Sequence, residues 1–480
     1  MTQEKINILD QISEYLKEER PLIHSREDDY LTPPKQREIN DLTNPPGLVG
    51  EVTKYINSQC RYPREFLSVL SAITTVANIG GLNHKLEGSK ITSNLFAFAV
   101  AGSATGKEAV LQAVTDLHVA AGMSAAVHGS IKSEQEIVRN LTRNQAAFYC
   151  IDEFGLFLRK LNLSHKQGGA SYLQGVIGML MAAYSKAGGN FLLSGDMKDD
   201  IRAALKKEYA ALNKELDDGI EDAKITERMG SIKKSMDELD KGLVNPFLSL
   251  LGFTTPTTFN ESISFEQVTS GFIGRSIIIL EPDNNPKRKR GFASSEMPED
   301  LIDKLVALKS NGSFDKTSAQ RVESNGHYNI ITTTQEAKDA LEEYADWFED
   351  QAEKHTEKTG FEAVVRRGYE MVEKVSFILA FGESERTLQH VDWAFDYIKR
   401  DIEIKTMLAY SNVKEKSDPV ESMAAKIMSI ADYTTGITIG KIKNRFRSKK
   451  EIVQEAVDML ERKGRIRIES TERTNFIFRN

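Results

Sequence analysis

The chain of 480 residues contains only two cysteines. Cys60 and Cys150 stand far apart, which excludes a disulfide framework and fits a reducing compartment. The eight histidines never stand with cysteine at zinc-site spacing, so no zinc is expected. No apolar run approaches the ~20 residues that cross a bilayer, so no membrane partner is expected. The opening MTQEKINILDQISEYLKEER is polar and acidic, unlike a signal peptide. These absences point to the cytoplasm. Positive charge is also short: 63 Lys and Arg face 70 Asp and Glu, for a net charge of −7. That argues against a surface coated for nucleic acid, but leaves room for a local basic patch or an interior channel. Hydrophobic content of 40% and charged content of 28% are ordinary for a globular protein. The length suggests two to four domains.

What is present centres on Leu95–Gln112, LFAFAVAGSATGKEAVLQ. Leu95–Val100 reads as a buried strand. Small residues follow at Ala101, Gly102, Ser103, Ala104, Thr105 and Gly106, then Lys107 and a helix. Strand, small-residue turn, Lys and helix form the layout of a phosphate-binding loop. Small residues let backbone N–H groups wrap a polyphosphate, the helix N-terminus adds positive dipole, and the Lys ammonium reaches the phosphates. The pattern G-x-x-x-x-G-K-[ST] is met imperfectly. Ala101 stands at the first Gly position, and Glu108 stands where a hydroxyl normally holds Mg²⁺. The second motif is Ala146–Gly155, AAFYCIDEFG. Its strand ends in Asp152 and Glu153. In an ATPase site the Asp holds Mg²⁺ through water, and the Glu aligns and polarises the attacking water. The plain alternative is a strand ending in an acidic helix cap.

Residues 1–44 read as a flexible N-terminal segment and 45–90 as a helical region. Residues 91–285 read as an α/β core, because strands and helices alternate as in a parallel sheet with helices on both faces. The predicted helices there include Lys107–Ala121, Ser130–Arg143, Leu156–Lys160 and Tyr172–Lys186. The loop Ser164–Ala170 reads as mobile. Residues 198–243 are polar and helical, an insertion read as a solvated hairpin or, more sharply, a subunit contact. Asn245–Phe259 returns to a strand, with Thr254 and Thr255 at its end as candidate sensors of a terminal phosphate. Arg275 opens the strand before Leu280. It is either a surface residue or a finger reaching a neighbouring subunit's nucleotide. Lys287-Arg288-Lys289-Arg290 is basic, and a solvated loop is favoured over phosphate contact.

Residues 286–325 read as a linker and 326–415 as a helical lid, from which Arg366 or Arg367 would touch phosphate. Ser417-Asp418-Pro419 marks the next boundary. Residues 418–480 show three helices and a two-stranded wing around Thr471–Thr474, a winged-helix pattern. It is locally basic at Lys441, Lys443, Arg445, Arg447, Lys449, Lys450, Arg462, Lys463, Arg465 and Arg467. DNA is the expected ligand, and protein contact the alternative.

With these residues placed, the chain resembles the phage- and prophage-encoded P-loop proteins catalogued as a domain of unknown function. These are found fused to or beside primase modules and treated as replicative helicases. The resemblance runs from about Pro45 to Tyr410. It rests on the Pro-Pro-Gly opening, the AGSATGKE loop, the IDEFG strand, the LLGFTTP strand and the GFIGRSIII segment, in that order. It implies a P-loop NTPase core of AAA+ or RecA type, ATP and Mg²⁺ as cofactors, and a location in the cytoplasm of a bacterial host. By it, Lys107 would bind phosphate, Asp152 and Glu153 would serve Mg²⁺ and water, and Arg275 would act in trans. It further implies a DNA helicase or translocase on single-stranded or forked DNA, working as a ring, a hexamer, with ATP between subunits. No primase motif is visible, so priming would need a partner. Ala101 and Glu108 depart from the pattern. They keep open a second reading, a DNA-binding initiator or regulator whose nucleotide site does not hydrolyse. A third and weaker reading is a defence-type ATPase.

Overall fold

The computed structural model describes residues 40–102, 106–159, 171–217, 223–256, 258–259, 271–282, 286–310, 322–324, 326–354 and 361–417. Beyond these it describes 420, 423–424, 427, 437–445, 450–462, 465–470 and 475–479. The chain divides into two compact units. One is Pro21–Ile404, and the other includes Lys405–Asn480.

The larger unit is built on five parallel strands: β2 (Phe96–Val100), β3 (Val127–His128), β4 (Ala146–Ile151), β7 (Phe247–Thr254) and β8 (Ser276–Leu280). Their order across the sheet is β3-β4-β7-β2-β8. Every residue of β2, β4, β7 and β8 is buried. Continuous burial means that both faces are covered, as parallel sheets require. Phe96 and Phe98, two apart and so on one face, lie against Tyr184, Phe154 and Phe272. Helix α1 (Gly47–Ser58) packs on α2 (Glu65–Gly80), and α2 runs along β7, β2 and β8. All of Leu67–Gly80 is buried. Helix α3 (Lys107–Ala120) follows β2, and α4 (Glu134–Arg143) precedes β4. The start of α4 is fixed by Ser133, whose hydroxyl accepts the Glu136 N–H at 3.1 Å. A short helix over 154–159 and α5 (Ser171–Ser185) follow β4.

The polar stretch expected as an insertion forms two helices packed on each other, α6 (Gly195–Asp217) and α7 (Ala223–Glu238). A short antiparallel pair, β5 (Asn190–Phe191) with β6 (Leu243–Val244), joins the ends of this excursion.

The stretch expected as a linker instead contains α8 (Glu299–Ser310), which packs on α2 and α3. Its apolar residues Leu301, Leu305, Val306 and Leu308 are buried, and their desolvation holds the helix in place. The region expected as a lid holds α9 (Gln335–Glu353), α10 (Glu362–Leu379) and α11 (Leu388–Ser417). Lys374 on α10 donates to the carbonyl and side-chain oxygens of Asn94, at 2.9 and 2.8 Å, just before β2 begins. Asp401 on α11 accepts the Ile278 N–H at 2.7 Å, satisfying a donor on the edge strand β8. A second parallel sheet ties this region to the chain before β2. There β9 (Asn329–Thr333) lies between β1 (His84–Leu86) and β10 (Glu385–Arg386). Of the N-terminal segment, 40–44 is described. The Asn40 amide donates to Asp396 at 2.7 Å, and Trp393 donates to the Asp41 carbonyl at 3.0 Å. Residues 1–39 and Ser164–Ala170 lie outside the described residues.

In the smaller unit, α12 (Ile439–Arg445) and α13 (Lys450–Arg462) accompany an antiparallel sheet of order β11-β13-β12. Its strands are β11 (Ile437–Thr438), β12 (Ile466–Ser470) and β13 (Asn475–Arg479). The sequence reading had two strands; β11 adds a third, paired to Phe476 and Ile477. Ile427, Ile442, Val453, Val457, Ile466 and Ile477 share its core.

Candidate phosphate-binding site at the carboxyl ends of the sheet

Parallel strands send all their carboxyl ends to one side, where ligands of such sheets bind. Here β7 lies between β2 and β4, so three strand ends meet. Val100 is in register with Thr254, and Ile151 with Gly252. The chain beyond β2 stays attached to β7, since the Ala101 N–H donates to the Thr254 carbonyl at 3.1 Å. Ser103, Ala104 and Thr105 lie outside the described residues. Gly106 then turns the chain into α3 with φ of +93°, a conformation that suits glycine. Gly106, the N-cap of α3, has no side chain with which to cap it. The first N–H groups of a helix have no partner within it, which is what an anion site requires.

Lys107, the first residue of α3, folds back so that Nζ donates to the carbonyls of Ala101 and Thr254, each at 3.3 Å. Burial holds its pKa below the usual lysine value, the Asp152 and Glu153 carboxylates oppose this, and the Arg64 guanidinium adds to it. Lys107 thus senses both acidic residues of β4's end. Glu108 is exposed.

Asp152 and Glu153 are both exposed. The Asp152 Oδ1 accepts the Glu153 N–H at 2.8 Å. Glu153 has φ of +51°, which costs a non-glycine residue on the order of 1–3 kcal/mol. Such strain gathers at functional sites. Two residues on, Gly155 has a steric role. A Cβ there would stand 2.3 Å from Thr254 Oγ1, so only glycine lets the end of β4 close on β7. Thr254 is buried, and Thr255 shares a 2.9 Å hydrogen bond with Thr258.

The other basic candidates lie elsewhere. Arg275 precedes β8, so it stands at the amino end of the sheet, and five strand residues of roughly 16 Å separate it from the loop end. Its Nη1 donates to the Gly271 carbonyl at 3.1 Å. Arg367 is near it; burial chiefly lowers the Arg367 pKa, with the Arg275 charge adding to the effect. Arg366 pairs with Glu349 at 3.0 Å on the surface. Arg366 and Arg367 thus stand toward the amino end of the sheet, where α10 meets Asn94 and Arg275, away from the end that carries Lys107. The second unit keeps Lys441 and Arg465 exposed. Lys443 bonds Gln454, while Arg467 pairs with Glu469 and stacks on Phe478. Arg447, Lys449 and Lys463 lie outside the described residues, as do the side chains of Arg445 and Lys450.

Sequence reasoning missed Arg64, which is fully buried, and Tyr62, which flanks Gly106. Both sit before α2, far from the motif in sequence, and carry no local signal. Among the described residues no three His, Cys, Asp or Glu side chains group as a metal site. Among them no helix is long and apolar enough to cross a membrane. Compared with family models and with curated proteins, the chain matches none.

Proposed function

We propose that this protein binds and hydrolyses ATP to drive movement on DNA, as a helicase or translocase in phage or mobile-element replication. One observation carries the nucleotide part. With β7 between β2 and β4, the loop Lys107, the Asp152-Glu153 pair and Thr254 meet at the carboxyl end of one sheet. Lys107 and the N-terminus of α3 bind the β- and γ-phosphates. Mg²⁺ keeps several waters and takes one or two carboxylates plus substrate phosphates, which the exposed Asp152 fits. Bound there, it would neutralise phosphate charge. Glu153, held by the Asp152 contact, orients the attacking water. Arg275 is too far along β8 to serve its own loop, so this reading gives it to the neighbouring subunit of a hexameric ring. The C-terminal unit is assigned as a winged helix that engages forked or single-stranded DNA through Lys441 and Arg465.

The test is ATP hydrolysis by the wild type and Glu153→Gln, with and without single-stranded DNA. DNA-stimulated turnover, abolished in the variant, supports a motor. Glu108 favours a second reading. A carboxylate in place of the metal-binding hydroxyl repels phosphate, leaving a DNA-binding initiator or regulator with a degenerate, non-hydrolysing nucleotide site. That reading predicts no turnover in either protein and DNA binding unaffected by Lys107→Ala.

A further inference from the structure

The run after β8 emerges at the same end of the sheet as the phosphate loop. Lys289 anchors it: its N–H donates to the Arg61 carbonyl at 2.9 Å and its Nζ to the Asn57 carbonyl at 2.7 Å. Those bonds lay the run across the chain that leaves α1. Arg61, Arg288 and Arg290 then surround a cleft of about 400 Å³, closed by Lys289, Gly291 and Phe292. Arg61, Arg288 and Arg290 are exposed, and among the described residues none has a carboxylate partner. The next residue after Arg61 is Tyr62, whose Cβ and carbonyl would lie 3.6 Å from a Cβ on Gly106. The cleft therefore borders the nucleotide loop.

Three guanidinium groups around one cleft repel each other unless an anion joins them, and planar guanidinium matches phosphate oxygens. The cleft is much larger than one phosphate, and Phe292 offers an aromatic wall. Basic side chains beside an aromatic platform form the chemistry that holds single strands without sequence preference. We infer that this cleft is a single-stranded nucleic-acid subsite, with Arg61, Arg288 and Arg290 holding backbone phosphates and Phe292 stacking on a base. The inference rests on the DNA reading above and places one DNA contact beside the nucleotide, outside the C-terminal unit.

The experiment uses the full chain and an oligothymidylate carrying 5-iododeoxyuridine. Irradiation is followed by peptide mapping, and binding is titrated by fluorescence anisotropy. A crosslink on the 288–292 peptide is expected, lost in Phe292→Leu. Arg288→Ala with Arg290→Ala should weaken binding about tenfold or more and flatten the salt dependence by about 0.7 in log–log slope per lost phosphate contact. ATP hydrolysis without DNA should be unchanged in Phe292→Leu. Crosslinks confined to other peptides would overturn the inference while leaving the DNA reading standing. Displacement of the crosslink by tripolyphosphate in proportion to nucleotide-site occupancy would also overturn it, by assigning the cleft to the nucleotide. Absence of any binding or crosslink would remove the DNA reading, and the subsite with it.

Discussion

Glu281 offers a sharp test of how the sheet's carboxyl end is held together. It follows β8, and its N–H donates to the Val100 carbonyl at 2.9 Å. Its carboxylate accepts the Leu67 N–H at 3.2 Å, in the first turn of α2. Burial pushes its pKa from 4.5 to about 7, while the Leu67 bond and the Arg64 charge pull the other way. The folded protein therefore keeps this proton to about pH 7, whereas the unfolded chain releases it near 4.5. Between those values the folded state binds more protons, so stability is greatest on the acid side and falls as pH rises through the window. The interval of about 2.5 pH units, at about 1.4 kcal/mol each, amounts to about 3.5 kcal/mol in full. Glu281→Gln keeps an acceptor for Leu67 and carries no titrating proton. Urea unfolding of both proteins at pH 5, 6, 7 and 8 should show the variant gaining about 2.5 kcal/mol on the wild type across that range, the part of the window above pH 5. A difference that stays constant from pH 5 to 8 would refute the burial argument.

Lys107→Ala should weaken binding of a fluorescent ATP analogue more than about tenfold, or roughly 1.4 kcal/mol. Unaltered affinity would remove Lys107 from the nucleotide site. Gly155→Ala forces a methyl onto Thr254 Oγ1 and should cost about 1–3 kcal/mol in chemical denaturation. Thr254→Ala in that background should recover part of the loss, and strict additivity of the two changes would contradict the contact. Glu153→Gly relieves the left-handed backbone, so stability should rise by up to about 1 kcal/mol after the entropy cost of glycine, while hydrolysis falls. A less stable variant would show that the positive φ carries no strain.

Much of the site was legible because its signals are local. A small-residue turn before Lys107 and an acidic pair after an apolar strand each fit within about ten residues. Helix α9 was legible as a long charged helix, and α10 from the apolar face of Val372, Val375, Ile378 and Leu379. Helix α8 was missed, although Leu301, Leu305, Val306 and Leu308 carry that periodicity, because a basic, Pro-bearing stretch precedes it and suggested a linker. Strands β1 and β10 are too short to read, and β9 pairs with β1 across nearly 250 positions, a contact with no local signal. Arg275 was partly legible. In a parallel sheet, residues before a strand lie opposite those after it, so its place at the amino end follows once β8 is parallel to β2.

The amino-acid sequence by itself determined which segments are strands and helices in the core, and which loop and carboxylates stand as the candidate phosphate site. Apolar runs and turn residues act over a few positions and need no distant partner. Only the tertiary structure decided that β7 enters between β2 and β4, and that α10, with Arg366 and Arg367, packs toward the amino end of the sheet. Strand order and helix docking depend on which buried surfaces match across the whole chain, and no local pattern records that choice. The Gly155–Thr254 approach, the Arg64 field on Lys107 and the Arg61–Arg288–Arg290 cleft arise in the same way, from segments that meet only when the sheet has closed.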